Sequence, residues 1–77
     1  MYYNGQGVPQ NYEQAVQWFQ KAADQGEAIA QFNLGLMYAN GWGVAKNHQM
    51  SIQWLRKAAA QGHQEAQKML KNMGQTW

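Results

Sequence analysis

The stretch NGWGVAKNHQMSIQWLRKAAAQG, Asn40–Gly62, decides the fold. An earlier stretch, NGQGVPQNYEQAVQWFQKAADQG, Asn4–Gly26, is a near copy of it about 36 residues upstream. Self-similarity at that period marks proteins built by stacking one helical unit on the next, because a single unit cannot bury its own apolar face. In the later copy His48, Ser51, Ile52, Leu55, Ala58 and Ala59 recur at the spacing of one α-helical face, and in the earlier copy Tyr12, Ala15, Val16, Phe19, Ala22 and Ala23 hold the same places. Asn47 and Asn11 stand just before these stripes, where an amide oxygen can accept from the free N–H groups of a first turn. Gln14, three residues after Asn11, completes a capping box that Met50 cannot complete for Asn47. Gly26 and Gly62 follow the last turns, where a left-handed residue closes a helix. The pattern predicts helices near 12–25 and 48–61.

Between them, Ala30, Leu34, Met37 and Tyr38 form another stripe at helical spacing, and Gly41 ends it. Gly35 sits inside this helix, where glycine costs about 1 kcal/mol against alanine. Close approach of a neighbouring helix, with no room for a Cβ, explains it best. Ala66, Met69, Leu70 and Met73 place a last helix near 64–73. The connectors Gly5–Val8 (GQGV) and Gly41–Val44 (GWGV) join two helices within a unit. They lack the preceding strand and the further glycine or lysine of a phosphate-binding loop, so they read as structural turns. Met1–Asn4 aligns with Met37–Asn40 and reads as the end of a first helix. With the first helix of each unit called A and the second B, the order is A stub, B, A, B, A.

Seventy-seven residues allow one domain, with residues 1–36 as repeat one and 37–77 as repeat two. A core this small gives marginal stability by itself. The absence of cysteine excludes disulfides and thiolate metal sites. No apolar run approaches the ~20 residues of a membrane span. The opening Met1-Tyr2-Tyr3-Asn4 has neither the basic start nor the apolar stretch of a signal peptide, although a longer precursor is compatible with that. Charge is uneven. Residues 1–36 carry Lys21 against Glu13, Asp24 and Glu27, whereas residues 37–77 carry Lys46, Arg56, Lys57, Lys68 and Lys71 against Glu65. Either the basic end attracts an acidic partner, or these are ordinary solvated helix faces.

Ala30, Leu34-Gly35, Tyr38, Gly41-x-Gly43-Val44, Trp54, Lys57-Ala58-Ala59 and Gly62 together resemble the Sel1-like repeat, a relative of the tetratricopeptide repeat. Tyr2, Gly5, Gly7, Val8, Ala15, Trp18, Lys21, Ala22, Ala23 and Gly26 match the same pattern in the first copy, so the resemblance spans nearly the whole chain. It implies an all-α, right-handed α-α superhelix of stacked antiparallel helix pairs, about two repeats long. Asn11 and Asn47 stand where the family often has aspartate, and Ser51 where it usually has alanine. The last helix has Lys68 and Lys71 in the places of Phe32 and Gly35, as a polar terminal repeat requires. The other end is expected to expose an apolar stripe on helix 12–25. That stripe implies either a longer repeat protein or self-association, including exchange of helices between copies.

No catalytic constellation emerges. His48 and His63, the two histidines, lie 15 residues apart without metal-ligand spacing, and His48 aligns with Tyr12 as a packing or capping residue. Ser51, the lone serine, faces a helix stripe without an adjacent base. No cofactor is implied. Basic residues form no stripe and aromatics fall on core positions, which disfavours nucleic acid. A partner is expected in the groove of stacked A helices. Phe32, Leu36 and Ala39 form an outer face of helix 28–40 with Gln31 and Asn33 nearby, and Tyr3, Lys68 and Asn72 are the neighbouring equivalents. Equally open is that Phe32 and Leu36 pack between helices. Trp42, opposite Gln6 of the first copy, is either a contact anchor or folded on its own loop, and Trp77 is expected on a frayed end.

The candidate contact set is therefore Gln31, Phe32, Leu36, Trp42 and Lys68. The expected function is a non-catalytic adaptor that binds a protein or peptide. The resemblance implies roles in bacterial envelope biology, host interaction or signalling, with a lean towards periplasm or secretion. The alternative is a ligand-binding or hydrolase-like relative acting on cell-wall muropeptides or β-lactams, a property linked to cysteine-rich relatives whose cysteines this chain lacks.

Overall fold

A computed structural model describes residues 9–77, with side chains from Tyr12 onward. Among these residues four α-helices follow one another: α1 Pro9–Asp24, α2 Ala28–Asn40, α3 His48–Ala60 and α4 Gln64–Asn72. Each packs on the next, α1 on α2, α2 on α3 and α3 on α4. The result is the all-α stack of antiparallel helix pairs, with α1 and α3 in the B role and α2 and α4 in the A role. The readings placed on Met1–Val8, including the helix stub, the GQGV connector and Tyr3, lie outside the described residues, as does the Asn11 side chain.

α1 opens earlier than its stripe predicts. It begins at Pro9, so Asn11 falls inside the first turn rather than before it. Proline favours a first helical position, where its fixed φ fits and no N–H is needed. Ala45 holds the matching place before α3, and there the helix waits for Asn47, whose side-chain oxygen accepts from the Met50 N–H at 3.1 Å. At α4 the cap is His63, whose Nδ1 accepts from the Ala66 N–H at 3.2 Å.

α1 and α3 close by the same pair of bonds. Gly26 N–H donates to Ala23 O at 2.9 Å and Glu27 N–H to Ala22 O at 3.2 Å; Gly62 N–H donates to Ala59 O at 2.9 Å and His63 N–H to Ala58 O at 3.2 Å. Gly26 and Gly62 sit at φ 92° and 95°, which glycine adopts without a Cβ penalty. The connector after α2 is held differently: Gly43, at φ 74°, lies so near α1 that an added Cβ would stand 2.5 Å from the Tyr12 carbonyl oxygen.

The core alternates along the stack. Ala23 of α1, Ala30 and Leu34 of α2 and Trp54 of α3 form one buried cluster, flanked by Val16, Phe19, Ala22, Tyr38 and Met50. Leu55, Ala58 and Ala59 of α3 with Ala66 and Leu70 of α4 form the other, flanked by Ala28, Phe32, Ile52, Met69 and Met73. Gly35 is the crossing point of α2 and α3, because its Cβ would meet Leu55 Cγ at 2.9 Å and Ser51 O at 3.2 Å. The buried Ser51 hydroxyl has no hydrogen-bond partner among the described residues. The tail is not loose. Arg56 Nε donates to Thr76 O at 3.0 Å and an Arg56 Nη donates to Gln75 Oε1 at 2.8 Å, which corrects the expectation of a frayed end.

Candidate partner-binding surfaces

The five residues singled out from sequence fall into different surroundings. Gln31 is 5% exposed. Its Nε2 donates to Ala23 O at 3.3 Å and its Oε1 accepts from Gln61 Nε2 at 2.9 Å. Gln61 Nε2 also donates to Gly26 O at 2.7 Å, so the two amides tie together the ends of α1 and α3 and the start of α2. Gln31 thus sits inside the wall and offers no amide edge to the outside.

Phe32 is half-buried. It packs on the α3–α4 cluster and stacks on the His63 ring, with centroids 4.5 Å apart and planes 24° apart. Leu36, one turn on, is half-buried, and its carbonyl accepts from the Asn40 amide at 2.9 Å. Lys68 is exposed on α4 and borders a recess of about 310 Å³ with Gln64, Gln67, Lys71 and Trp77. Trp42 does not fold onto its own loop. It lies flat on Tyr12 of α1, with centroids 5.4 Å apart and planes 15° apart, and keeps 42% of its surface exposed.

A further surface lies on α1. Trp18 is 72% exposed, whereas Trp54, its counterpart in the second copy, is 7% exposed. Trp54 is covered by Ala30 and Leu34 of α2, and the Lys57 ammonium stands 4.7 Å above its ring. Trp18 instead borders a recess of about 300 Å³ with Lys21, Ala22, Gln25 and Glu27. A smaller one of about 130 Å³ continues along Gln14 and Gln17. Sequence reasoning expected an uncovered face on this helix but did not single out Trp18. The register that pairs it with Trp54 was the signal available.

The described residues hold no group of three or more His, Cys, Asp or Glu side chains placed to share a metal ion. No helix among them is long and apolar enough to cross a membrane. The histidines serve helix ends. His63 caps α4, and His48 opens α3 in an exposed position.

The Sel1 repeat profile matches residues 1–27 and 28–63. The chain belongs to the Sel1 repeat family. That frame starts a Sel1 unit at the head of α2, while a division at 36/37 cuts through the same helix. Among solved structures, a Sel1 repeat protein from Oxalobacter formigenes superposes with a TM-score of 0.73 and 53% identity. The match covers 74% of this chain and 24% of that one, so the chain spans about a quarter of that relative's length. A comparison with curated protein sequences gives no match.

Proposed function

We propose that this chain, as Sel1 repeats in general do, mediates protein–protein interaction as a non-catalytic scaffold. It does so through the outer surface of its A helices, α2 and α4, binding a protein or peptide. Leu36, Lys68, the exposed edge of Phe32 and the free face of Trp42 supply the contacts, with Gln31 fixing the wall behind them. The observation that carries the reading is uncovered aromatic surface on a helical frame, with Trp18, Trp42 and Trp77 exposed among the described residues. Tryptophan is among the residues enriched at the energetic centres of protein interfaces. Association between copies through the α1 face belongs to the same proposal.

Photo-crosslinking tests it. A benzophenone side chain at Leu36 or Lys68 is expected to capture a partner in lysate of the source organism, and one at the exposed Gln53 of α3 is not. Equal capture from all three sites, or capture from Gln53 alone, overturns the assignment of the surface.

A further inference from the structure

Asn40 is the last residue of α2 and Gly41 follows it. An asparagine followed by glycine is the dipeptide most prone to lose ammonia, because no side chain on the second residue hinders the attack. The glycine nitrogen gives up its proton and bonds to the asparagine Cγ. The bond from Cγ to the side-chain nitrogen breaks, ammonia leaves, and a five-membered succinimide remains. Water then opens one of its two carbonyls, giving aspartate or isoaspartate. Asn40 is exposed, so water reaches it. Every other requirement is opposed by the fold. Gly41 N–H donates to Met37 O at 2.8 Å, which holds the proton that the nucleophile must lose. Asn40 Nδ2 donates to Leu36 O at 2.9 Å, one turn back along the helix and away from Gly41. Trp42 N–H donates to the same Met37 O at 3.0 Å while its ring lies on Tyr12, so the chain just beyond Gly41 is anchored as well.

We propose that Asn40–Gly41 is a site of spontaneous deamidation that the end of α2 holds shut, and that opening of this last turn gates the reaction. Local opening of a helix end then precedes the chemistry, as it does in amide hydrogen exchange. The product does not close again in the same way. A carboxylate at position 40 cannot donate to Leu36 O, and its charge opposes the negative end of the helix dipole. Isoaspartate also adds a methylene to the main chain immediately before Gly41, whose φ of 73° closes the helix. Modification therefore loosens the connector and frees Trp42 from Tyr12. The site stands apart from the scaffold reading, although it controls how one of the proposed contacts is presented.

The test compares the full chain with a synthetic peptide of residues 36–45 in the same mildly alkaline buffer. Trypsin cuts after Lys21 and Lys46, so the fragment 22–46 carries Asn40 and excludes Asn4. Mass spectrometry of that fragment counts the replacement of NH2 by OH at Asn40. The peptide is expected to convert about tenfold or more faster than the folded chain, since its cyclisation needs no opening step. Urea below the unfolding transition should already raise the rate in the chain. Trp42→Ala and Tyr12→Ala, each of which removes one ring of the stack, should raise it severalfold, with circular dichroism verifying that the variants stay folded. Asn40→Asp carries the carboxylate of the product and should speed hydrogen exchange at the Gly41 and Trp42 amides. Equal rates in peptide and chain, a rate that rises only with global unfolding, the parental rate in both stack variants, or unchanged exchange in Asn40→Asp overturns the proposal.

Discussion

Gly35 of α2 and Leu55 of α3 approach until a Cβ at position 35 would stand 2.9 Å from Leu55 Cγ and 3.0 Å from Leu55 Cδ2. Gly35→Ala gains about 1 kcal/mol of helix propensity but must push the helices apart or force Leu55 off its rotamer, at about 1–3 kcal/mol. The net expectation is destabilisation of about 1 kcal/mol, read as a lower urea midpoint at unchanged slope. A variant more stable than the parent would show that the helices separate freely at this crossing.

Ser51 lies at the same crossing with its hydroxyl buried and without a hydrogen-bond partner among the described residues. An unsatisfied buried hydroxyl costs about 1–3 kcal/mol. Ser51→Ala is expected to stabilise the fold by up to about 1 kcal/mol, because alanine removes the unpartnered hydroxyl and is the better helix former. Thermal unfolding measures it. A drop in Tm would reveal a partner for the hydroxyl.

His63 does two things at once, capping α4 through Nδ1 and stacking on Phe32. Asparagine restores a cap oxygen but not the ring. His63→Ala is therefore expected to cost about 1 kcal/mol for the cap and about 0.5–1.5 kcal/mol for the stack, and His63→Asn only the second part. Equal losses in both variants would mean that the cap contributes nothing.

Gln31 and Gln61 share one hydrogen bond and each reaches a backbone carbonyl, Ala23 O and Gly26 O. A double-mutant cycle on Gln31→Ala and Gln61→Ala is expected to give a coupling of about 0.5–1.5 kcal/mol. Strict additivity would sink the idea that this pair joins the first unit to the second.

Much of this architecture is legible in the chain because the repeat writes each rule twice. The stripes ending at Ala23 and Ala59, the cap at Asn47 and the closing bonds at Gly26 and Gly62 follow from local spacing. Gly35 is legible as well, since a glycine inside a helix calls for a close neighbour. The start of α1 is misread because Pro9 replaces Ala45 and can open a helix earlier, against the cap preference of Asn11. The surface residues are harder. Gln31 looks like an outward amide until Ala23 and Gln61, distant in sequence, are brought to it. Trp42 is placed by Tyr12 of the preceding unit, a contact that no local pattern encodes. Arg56 holding the tail is likewise a long-range bond.

Lys71 has one more consequence. Subunits whose two ends complement each other without closing a ring polymerise, and a single such contact can turn a soluble protein into fibres. α4 carries Lys71 where α2 has Gly35, so a B helix packing there would meet a long charged side chain at the position where α2 leaves no room for a Cβ. A head-to-tail contact through α4 is disfavoured at its first step, and the side chain at position 71 works against assembly of that kind.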